Sequence, residues 1–119
     1  MTTPLFNFNN TFSTLSPFFY TPTTPIPVQN PSFIFLNTEL ADNLNISSEL
    51  LRTDLGVSIL SGNSIPTGST PISMAYSGHQ FGYFSELLGD GRAVLLGEIL
   101  SKHNDRYDIQ LKGSGRTPY

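Results

Sequence analysis

The stretch that decides the fold runs from Gly89 to Lys112 and reads GDGRAVLLGEILSKHNDRYDIQLK. Its first segment, Arg92–Ile99, is mainly apolar, which is typical of a buried strand. Its last segment, Tyr107–Lys112, alternates between apolar and polar residues, as a strand with one covered face does. The polar sequence SKHNDR lies between them and favours a turn. The pattern therefore predicts a β-hairpin that folds near Lys102 and His103.

This hairpin places a lysine beside a glycine turn. Antiparallel pairing brings Lys112 back opposite Arg92 or Ala93, about 4.8 Å away across the ladder. Its ammonium group then reaches the Gly89–Gly91 turn, where glycine lets the backbone approach a ligand closely and leaves amide groups free to point at it. Arg92 adds a planar guanidinium group that suits phosphate. Protein kinases hold nucleotide phosphates with the same order of parts: a glycine turn, a strand and a lysine on the returning strand.

Each of these features also has an ordinary structural explanation. A Gly-Asp-Gly sequence is a common turn, and a lysine at the end of a strand usually faces solvent. The segment KGSGR resembles a Walker loop only superficially, because the residue order of that motif is absent. Glu98 and Asp108 are interpreted as part of a solvated strand face in preference to a carboxylate pair, and His79 as a structural hydrogen-bonding residue. Spacing alone therefore leaves both an anion site and a plain hairpin open.

The middle of the chain predicts two short helices and one undecided segment. The sequence NTELADNLNI offers Asn37 or Thr38 as a helix N-cap, and SSELLRTDLG offers a serine cap with Gly56 as the stop. Apolar residues at helical spacing support both helices: Leu40, Ala41, Leu44, Leu50, Leu51 and Leu55. Ser61–Pro71 is a loop by composition. For Ala75–Leu88, the pattern does not decide between helix and loop.

The first 30 residues are predicted to form an extended arm in which a short strand is allowed. Six prolines from Pro4 to Pro31 each remove an amide donor and restrict the backbone. The arm also carries five phenylalanines, and burying one such ring is worth roughly 1.5–3 kcal/mol. We therefore expect part of the arm to pack along another surface. The predicted organisation is an arm over residues 1–30 and a partial lobe with the hairpin over residues 31–119.

Composition excludes several classes of protein and of site. The 119 residues suffice for one small domain and are too few for two comfortable ones. The chain has no cysteine and only two histidines, which removes disulfides, thiolate chemistry and a histidine-rich metal site. A net charge of −3 argues against a nucleic-acid partner. The pattern shows neither a targeting peptide nor an apolar run of about 20 residues, so we expect a cytoplasmic protein without a membrane partner.

Two long segments also carry a resemblance to a known family. AYSGHQFGYFSELLGDGRAVLLGE, from Ala75 to Glu98, and YDIQLKGSGRTPY, from Tyr107 to Tyr119, resemble the selenoprotein O family. These motifs are long, nearly gapless and specific. The resemblance is strong over residues 75–119, weaker over residues 31–60, and slight over residues 1–30.

The resemblance implies a fold, an activity and four binding residues. The implied fold is α+β and protein-kinase-like, with this chain as an incomplete N-terminal lobe made of an antiparallel sheet and short helices. Family members are protein adenylyltransferases, which use magnesium and transfer AMP from ATP to Ser, Thr or Tyr hydroxyl groups of target proteins. Carried over to this sequence, Gly89, Gly91 and Arg92 match the phosphate-contacting turn, and Lys112 matches the nucleotide-binding lysine.

Family members are several times longer than 119 residues, which limits what this chain is expected to do alone. The metal-binding Asn and Asp and the catalytic base are expected beyond residue 119, so no catalytic residue and no metal ligand is assigned here. One alternative is an ordinary phosphotransferase built on the same lobe. Another is an inactive fragment or a non-catalytic interaction module of a pseudokinase, which the low charge and the phenylalanine-rich arm favour.

Overall fold

The computed structural model describes residues 5–119 and shows an α+β chain built on an antiparallel sheet. Met1–Pro4, the beginning of the predicted arm, lie outside the described residues. Within the described range, the helices and strands run in this order: β1 (Tyr20–Pro22), α1 (Thr38–Asn43), α2 (Ser48–Leu51), α3 (Asp54–Leu60), β2 (Ile72–Gln80), β3 (Tyr83–Gly89), β4 (Ala93–Leu100) and β5 (Arg106–Lys112). The predicted class, α+β with an antiparallel sheet and short helices, is confirmed. Across residues 5–119, every helix is too short or too polar to cross a membrane.

The predicted hairpin forms from β4 and β5. Their pairing begins at Ala93 opposite Lys112 and ends at Leu100 opposite Arg106, with one irregularity between Leu95 and Gly97. The intervening residues 101–105 make the turn, as the polar sequence indicated. The strand order is β1-β2-β4-β5, and β3 pairs with β2 outside this path. Every residue from 93 to 99 is buried, so β4 is the central strand of the core.

The undecided segment is neither helix nor loop, because β2 and β3 form a second hairpin there. Gln80 pairs with Tyr83, so the connection consists of Phe81 and Gly82. Both have positive φ, of 56° and 83°, which two-residue hairpin turns of the mirror-image types require. Most side chains of this hairpin are exposed on both faces. The alternation that reveals a half-buried strand is therefore missing from its sequence.

Three short helices replace the two that the sequence predicted. Asn37 and Ser47 cap the first two, because their side chains accept hydrogen bonds from backbone amides three residues on. The prediction that Gly56 ends the second helix is wrong. Thr53 caps a third helix, and Gly56 lies inside it, where an added Cβ would stand 2.1 Å from the carbonyl oxygen of Leu51. Gly56 serves close packing between α2 and α3.

Part of the N-terminal arm packs on the sheet, as expected. Phe6 is 3% exposed and joins a core cluster with residues from α1, α2, α3, β4 and β5. Phe8 forms an isolated bridge with Ile99, and the Asn9 amide donates to the Glu98 carbonyl at 2.7 Å. Further along the arm, Phe18 is 91% exposed. The arm therefore pairs with β4 at Phe8 and Asn9, whereas the division of the chain at residue 30 stays a prediction.

Glu98 holds the arm through its side chain. Its carboxylate accepts hydrogen bonds from the Thr11 amide at 2.6 Å, the Thr11 hydroxyl at 2.5 Å and the Phe12 amide at 2.8 Å. The Arg106 guanidinium lies 3.5 Å from the same carboxylate. Burial alone raises the pKa of Glu98, but these hydrogen bonds and the charge of Arg106 together lower it below its usual value. The prediction of a solvated face is therefore wrong for Glu98, which is 5% exposed, although its cross-strand neighbour Asp108 is exposed.

Candidate anion site at the glycine turn

A cleft of about 230 Å³ opens at the turn between β3 and β4. Gly89, Gly91, Arg92 and Lys112, the four residues that the sequence singled out, all line it. The other residues around the cleft are Tyr76, Asp90, Ala93 and Gln110. Larger clefts occur elsewhere in the described chain, one of them between residues 31–35 and α3. The cleft at the turn joins a glycine turn to an arginine and a lysine, whereas the larger cleft at residues 31–35 is lined by uncharged residues, so charge distinguishes the two where volume does not.

The strand register explains why Lys112 lies at this cleft. Lys112 is the direct partner of Ala93 across the β4–β5 ladder, and the Gly113 amide donates to the Arg92 carbonyl at 2.8 Å. Arg92 and Lys112 therefore stand on neighbouring strands at the same edge, and both side chains are exposed. Two exposed, positively charged side chains at one opening favour an anionic ligand over a neutral one.

The turn itself is held from behind by β2. The Asp90 amide donates to the Met74 carbonyl at 2.9 Å, and the Met74 amide donates to Asp90 Oδ2 at 2.9 Å. Asp90 is 7% exposed. Burial raises the pKa of its carboxyl group, and the hydrogen bond from Met74 opposes that rise only in part. This reciprocal pair of hydrogen bonds fixes the middle of the turn to the sheet.

The expectation of free amide groups in the turn needs correction. The Asp90 amide is used by Met74, and the Gly91 amide donates to the Gly89 carbonyl at 2.9 Å. A turn this tight closes on itself, so these two amides satisfy neighbouring carbonyl groups. The capacity of the cleft to bind an anion therefore rests on the side chains of Arg92 and Lys112.

The two glycines of the turn have different roles in packing. A Cβ added to Gly89 would stand 2.5 Å from Cγ of Tyr119, so that position admits no side chain without a shift of the tyrosine. A Cβ added to Gly91 would meet only the Tyr119 carbonyl oxygen, at 3.9 Å. Gly91 thus has open space beside it, although it has no positive φ that would require glycine. Its missing side chain leaves room for a ligand to approach the turn.

Sequence reasoning missed a third element of the turn, the segment that follows β5. The Thr117 amide donates to the Gly91 carbonyl at 3.0 Å, and the Thr117 hydroxyl donates to the Asp90 carbonyl. The Tyr119 hydroxyl lies 3.0 Å from Thr21 Oγ1, beside β1. Thr117 and Tyr119 belong to the GRTPY sequence, which is part of the family resemblance. The resemblance did not indicate which residues Thr117 and Tyr119 contact.

The structure places two further residues, Gln110 and His79, relative to the cleft. Gln110 was missed as a lining residue, although the alternation of β5 already placed it on the same face as Lys112. His79 was expected to make a structural hydrogen bond. Its ring packs edge-on against Phe84, with 5.3 Å between ring centroids. His79 lies outside the cleft.

Metal-binding side chains do not gather anywhere in the described chain. Across residues 5–119, no three His, Cys, Asp or Glu side chains stand close enough together to hold a metal ion. Asp90 is the acidic residue that lines the cleft, and its carboxylate is already hydrogen-bonded to Met74. Among the described residues, the cleft thus has a single carboxylate beside its two cations.

Comparison with known proteins identifies the family of the chain. The family model described as protein adenylyltransferase SelO matches residues 4–119. The protein nucleotidyltransferase YdiU of Rhizobium etli is 52% identical over 114 residues, covering 96% of this chain and 23% of that relative. The protein of the same name from Syntrophotalea carbinolica is 51% identical over 118 residues, covering 99% of this chain and 24% of that relative. The one from Lachnoclostridium phytofermentans is 52% identical over 116 residues, covering 98% of this chain and 24% of that relative. The chain thus spans about a quarter of the length of the curated relatives that it matches, and it belongs to the protein adenylyltransferase SelO family.

Proposed function

We propose that this chain supplies part of the ATP site of a protein adenylyltransferase, an enzyme that transfers AMP to Ser, Thr or Tyr hydroxyl groups of target proteins. The observation that carries the proposal is the meeting of Arg92 and Lys112 at one glycine turn. The names of the relatives, which describe protein nucleotidyltransferases, support the reaction class. ATP is then the substrate that the cleft receives.

Each of the four residues has a separate task in this proposal. The guanidinium of Arg92 presents paired donors to phosphate oxygens, and the ammonium of Lys112 adds a mobile positive charge beside it. Gly91 keeps the approach to the turn open, and Gly89 lets the turn pack on Tyr119. Together, these residues neutralise part of the triphosphate charge and hold the triphosphate at the N-terminal end of β4.

The reaction breaks one bond and forms another at the α-phosphorus of ATP. The bond between the α-phosphorus and its bridging oxygen breaks and releases pyrophosphate. A new bond forms to the hydroxyl oxygen of the target, and that hydroxyl loses its proton to a base. Neither the base nor a set of magnesium ligands is assigned within residues 5–119, so this chain's contribution is to bind and orient the phosphates.

The proposal includes a protein-kinase-like lobe over residues 31–119. The order of parts supports it: a glycine turn, strand β4, and a lysine on the antiparallel strand β5. The strands on either side of the turn are joined through a third strand. The strand before the turn, β3, pairs with β2, and β2 in turn pairs with β4 at Ile72 opposite Leu95. β3 and β4, the strands before and after the turn, are therefore both paired with β2.

The first test compares two lysines of the same hairpin in the full-length protein. Lys112→Ala should weaken ATP binding at least about tenfold, because one charge-assisted hydrogen bond is worth roughly 1.5–3 kcal/mol. Lys102→Ala is the matched control, since Lys102 lies at the opposite end of the hairpin and pairs with Asp42 at 2.8 Å. Equal ATP affinities of Lys112→Ala, Lys102→Ala and the unaltered protein would refute the site assignment.

A second variant probes the open side of the turn. Gly91→Ala should leave the fold intact, because its new methyl group meets only one protein atom, at 3.9 Å. The same methyl group should weaken ATP binding, because it occupies space next to the turn. Isothermal titration with ATP and thermal unfolding, measured together, separate these two expectations. A variant that binds ATP normally would show that ligand phosphates stay away from Gly91.

The reaction products distinguish AMP transfer from its alternatives. Mass spectrometry of a modified target protein separates an added AMP from an added phosphate, and therefore an adenylyltransferase from an ordinary phosphotransferase. A non-catalytic interaction module is favoured by the exposed apolar side chains, among which Ile34 is fully exposed and Phe81 is 85% exposed. A full-length protein that binds ATP but transfers neither group would establish that alternative.

A further inference from the structure

We propose that Thr117 is a positioning residue that sets the conformation of the phosphate-binding turn. This inference rests on the proposed function, because it concerns how the same cleft receives phosphate. Its basis is a pair of hydrogen bonds to consecutive carbonyl groups. The Thr117 hydroxyl donates to the carbonyl of Asp90, and the Thr117 amide donates to the carbonyl of Gly91 at 3.0 Å.

Carbonyl oxygens are the groups that a phosphate-binding turn must keep away from its ligand. A peptide oxygen carries partial negative charge, and it repels a phosphate that approaches within hydrogen-bonding distance. Glycines on both sides of Asp90 make rotation of these peptide groups inexpensive, since glycine accepts most backbone angles. A turn with the sequence Gly-Asp-Gly therefore needs an external partner to hold one arrangement.

Thr117 provides that partner from outside the cleft. Thr117 is not among the residues that line the cleft. Its two bonds therefore hold the oxygens of Asp90 and Gly91 to a residue that does not line the cleft. On the other side of the turn, the Asp90 side chain and amide are bonded to Met74. The turn is thus clamped between β2 and the segment after β5.

The packing of Tyr119 supports the same arrangement. Tyr119 lies so close to Gly89 that an added Cβ would stand 2.5 Å from its Cγ, and its hydroxyl group is 3.0 Å from Thr21 Oγ1. The amide of Tyr119 also donates to the Thr117 hydroxyl oxygen at 3.2 Å. Thr117 is therefore oriented by its own neighbours, so that its hydroxyl hydrogen is directed to the Asp90 carbonyl.

The experiment replaces the hydroxyl group and keeps the shape. In the full-length protein, Thr117→Val retains the branched side chain and the backbone amide but loses the donor to Asp90 and the acceptor of the Tyr119 amide. Thr117→Ser retains the donor. We expect Thr117→Val to weaken ATP binding roughly three- to tenfold, the range that one neutral hydrogen bond supports, and Thr117→Ser to stay within about twofold of the unaltered protein.

Adenosine separates positioning from general damage, because it has no phosphate. Positioning of the turn predicts that Thr117→Val lowers the affinity for ATP and leaves that for adenosine unchanged. A parallel loss of both affinities, or an unchanged ATP affinity, overturns the inference. If Thr117→Val does not fold, Thr117→Ala removes the hydroxyl group with a smaller side chain and is judged by the same ratio of affinities.

The two proposals fail in different ways. If Lys112→Ala leaves ATP binding unchanged, the cleft is not the phosphate site, and both proposals fall. If Lys112→Ala weakens ATP binding whereas Thr117→Val does not, the site stands and only the role of Thr117 is refuted.

Discussion

Replacing Glu98 by glutamine should release the N-terminal arm from the sheet. The Glu98 carboxylate accepts three hydrogen bonds, two from Thr11 and one from the Phe12 amide, at 2.5–2.8 Å. Both carboxylate oxygens are used, and Arg106 lies 3.5 Å from one of them. Glutamine has a single acceptor oxygen, so its NH₂ group must face either two amide donors or the guanidinium. The side chain is only 6% exposed, so water replaces the lost contacts poorly.

The size of the effect follows from these contacts. Hydrogen bonds to a charged group are worth roughly 1.5–3 kcal/mol, and the substitution removes at least one of them without replacement. A loss of that size corresponds to a roughly 10- to 150-fold rise in the population of the opened arm. The backbone pairing of β4 with β5, from Ala93 opposite Lys112 to Leu100 opposite Arg106, does not depend on the Glu98 side chain and remains in the variant. We therefore expect opening of the arm and retention of the sheet.

Hydrogen exchange of the full-length protein measures this opening directly. Peptides that cover residues 8–12 should exchange roughly 10- to 150-fold faster in Glu98→Gln, whereas peptides from β4 and β5 keep their protection. Glu86→Gln, a change of the same kind on the exposed strand β3, is the matched control. Exchange of residues 8–12 within twofold of the unaltered protein would refute the reasoning, because the arm would then be held by its backbone and its phenylalanines.

Two further predictions concern acid and a buried hydroxyl group. Because the folded-state pKa of Glu98 lies below its unfolded value of about 4.3, its stabilisation of the arm is complete above that pH and is lost as pH falls through the lower folded pKa. In the unaltered protein, the hydrogen-exchange protection of residues 8–12, corrected for intrinsic exchange, should therefore decline below about pH 4. Glu98→Gln should show no such decline. A decline that begins near neutral pH would contradict the assignment of this pH dependence to Glu98. Ser114→Ala should raise the free energy of unfolding by up to about 1 kcal/mol, because the Ser114 hydroxyl is buried without a hydrogen-bond partner among the described residues. Thermal unfolding tests this against Ser101→Ala, which removes an acceptor of two amide hydrogen bonds and should destabilise; equal destabilisation by both changes would mean that the Ser114 hydroxyl has a partner.

The β4–β5 hairpin was predictable because its signals are local. Alternation in Tyr107–Lys112 and a polar turn specify which residues face each other, and the observed pairing of Lys112 with Ala93 lies within the predicted range. The β2–β3 hairpin was not predictable in the same way. Its strands expose both faces, so they lack alternation, and its two-residue turn places Phe81 at a positive φ that phenylalanine rarely adopts.

The candidate site was only partly visible for a related reason. Arg92 and Lys112 follow from the hairpin register, and Gly89 and Gly91 follow from the turn between them. The partners that hold the turn were not visible, since Thr117 is 27 positions from Asp90 along the chain. No periodicity joins residues at that separation, because their contact depends on how the segment after β5 folds back on the sheet.

The α+β class was implied by the family resemblance of the sequence. By itself, the residue pattern of the sequence determined the central hairpin and the meeting of a lysine with a glycine turn. These depend on interactions between near neighbours, for which side-chain alternation and turn composition are sufficient. Only the tertiary structure decided that Glu98 is buried and that the turn is clamped from both sides. The arm donors to Glu98 come from Thr11 and Phe12, 87 and 86 positions earlier. A charged side chain in the middle of a strand is expected to face water unless such distant partners are brought to it.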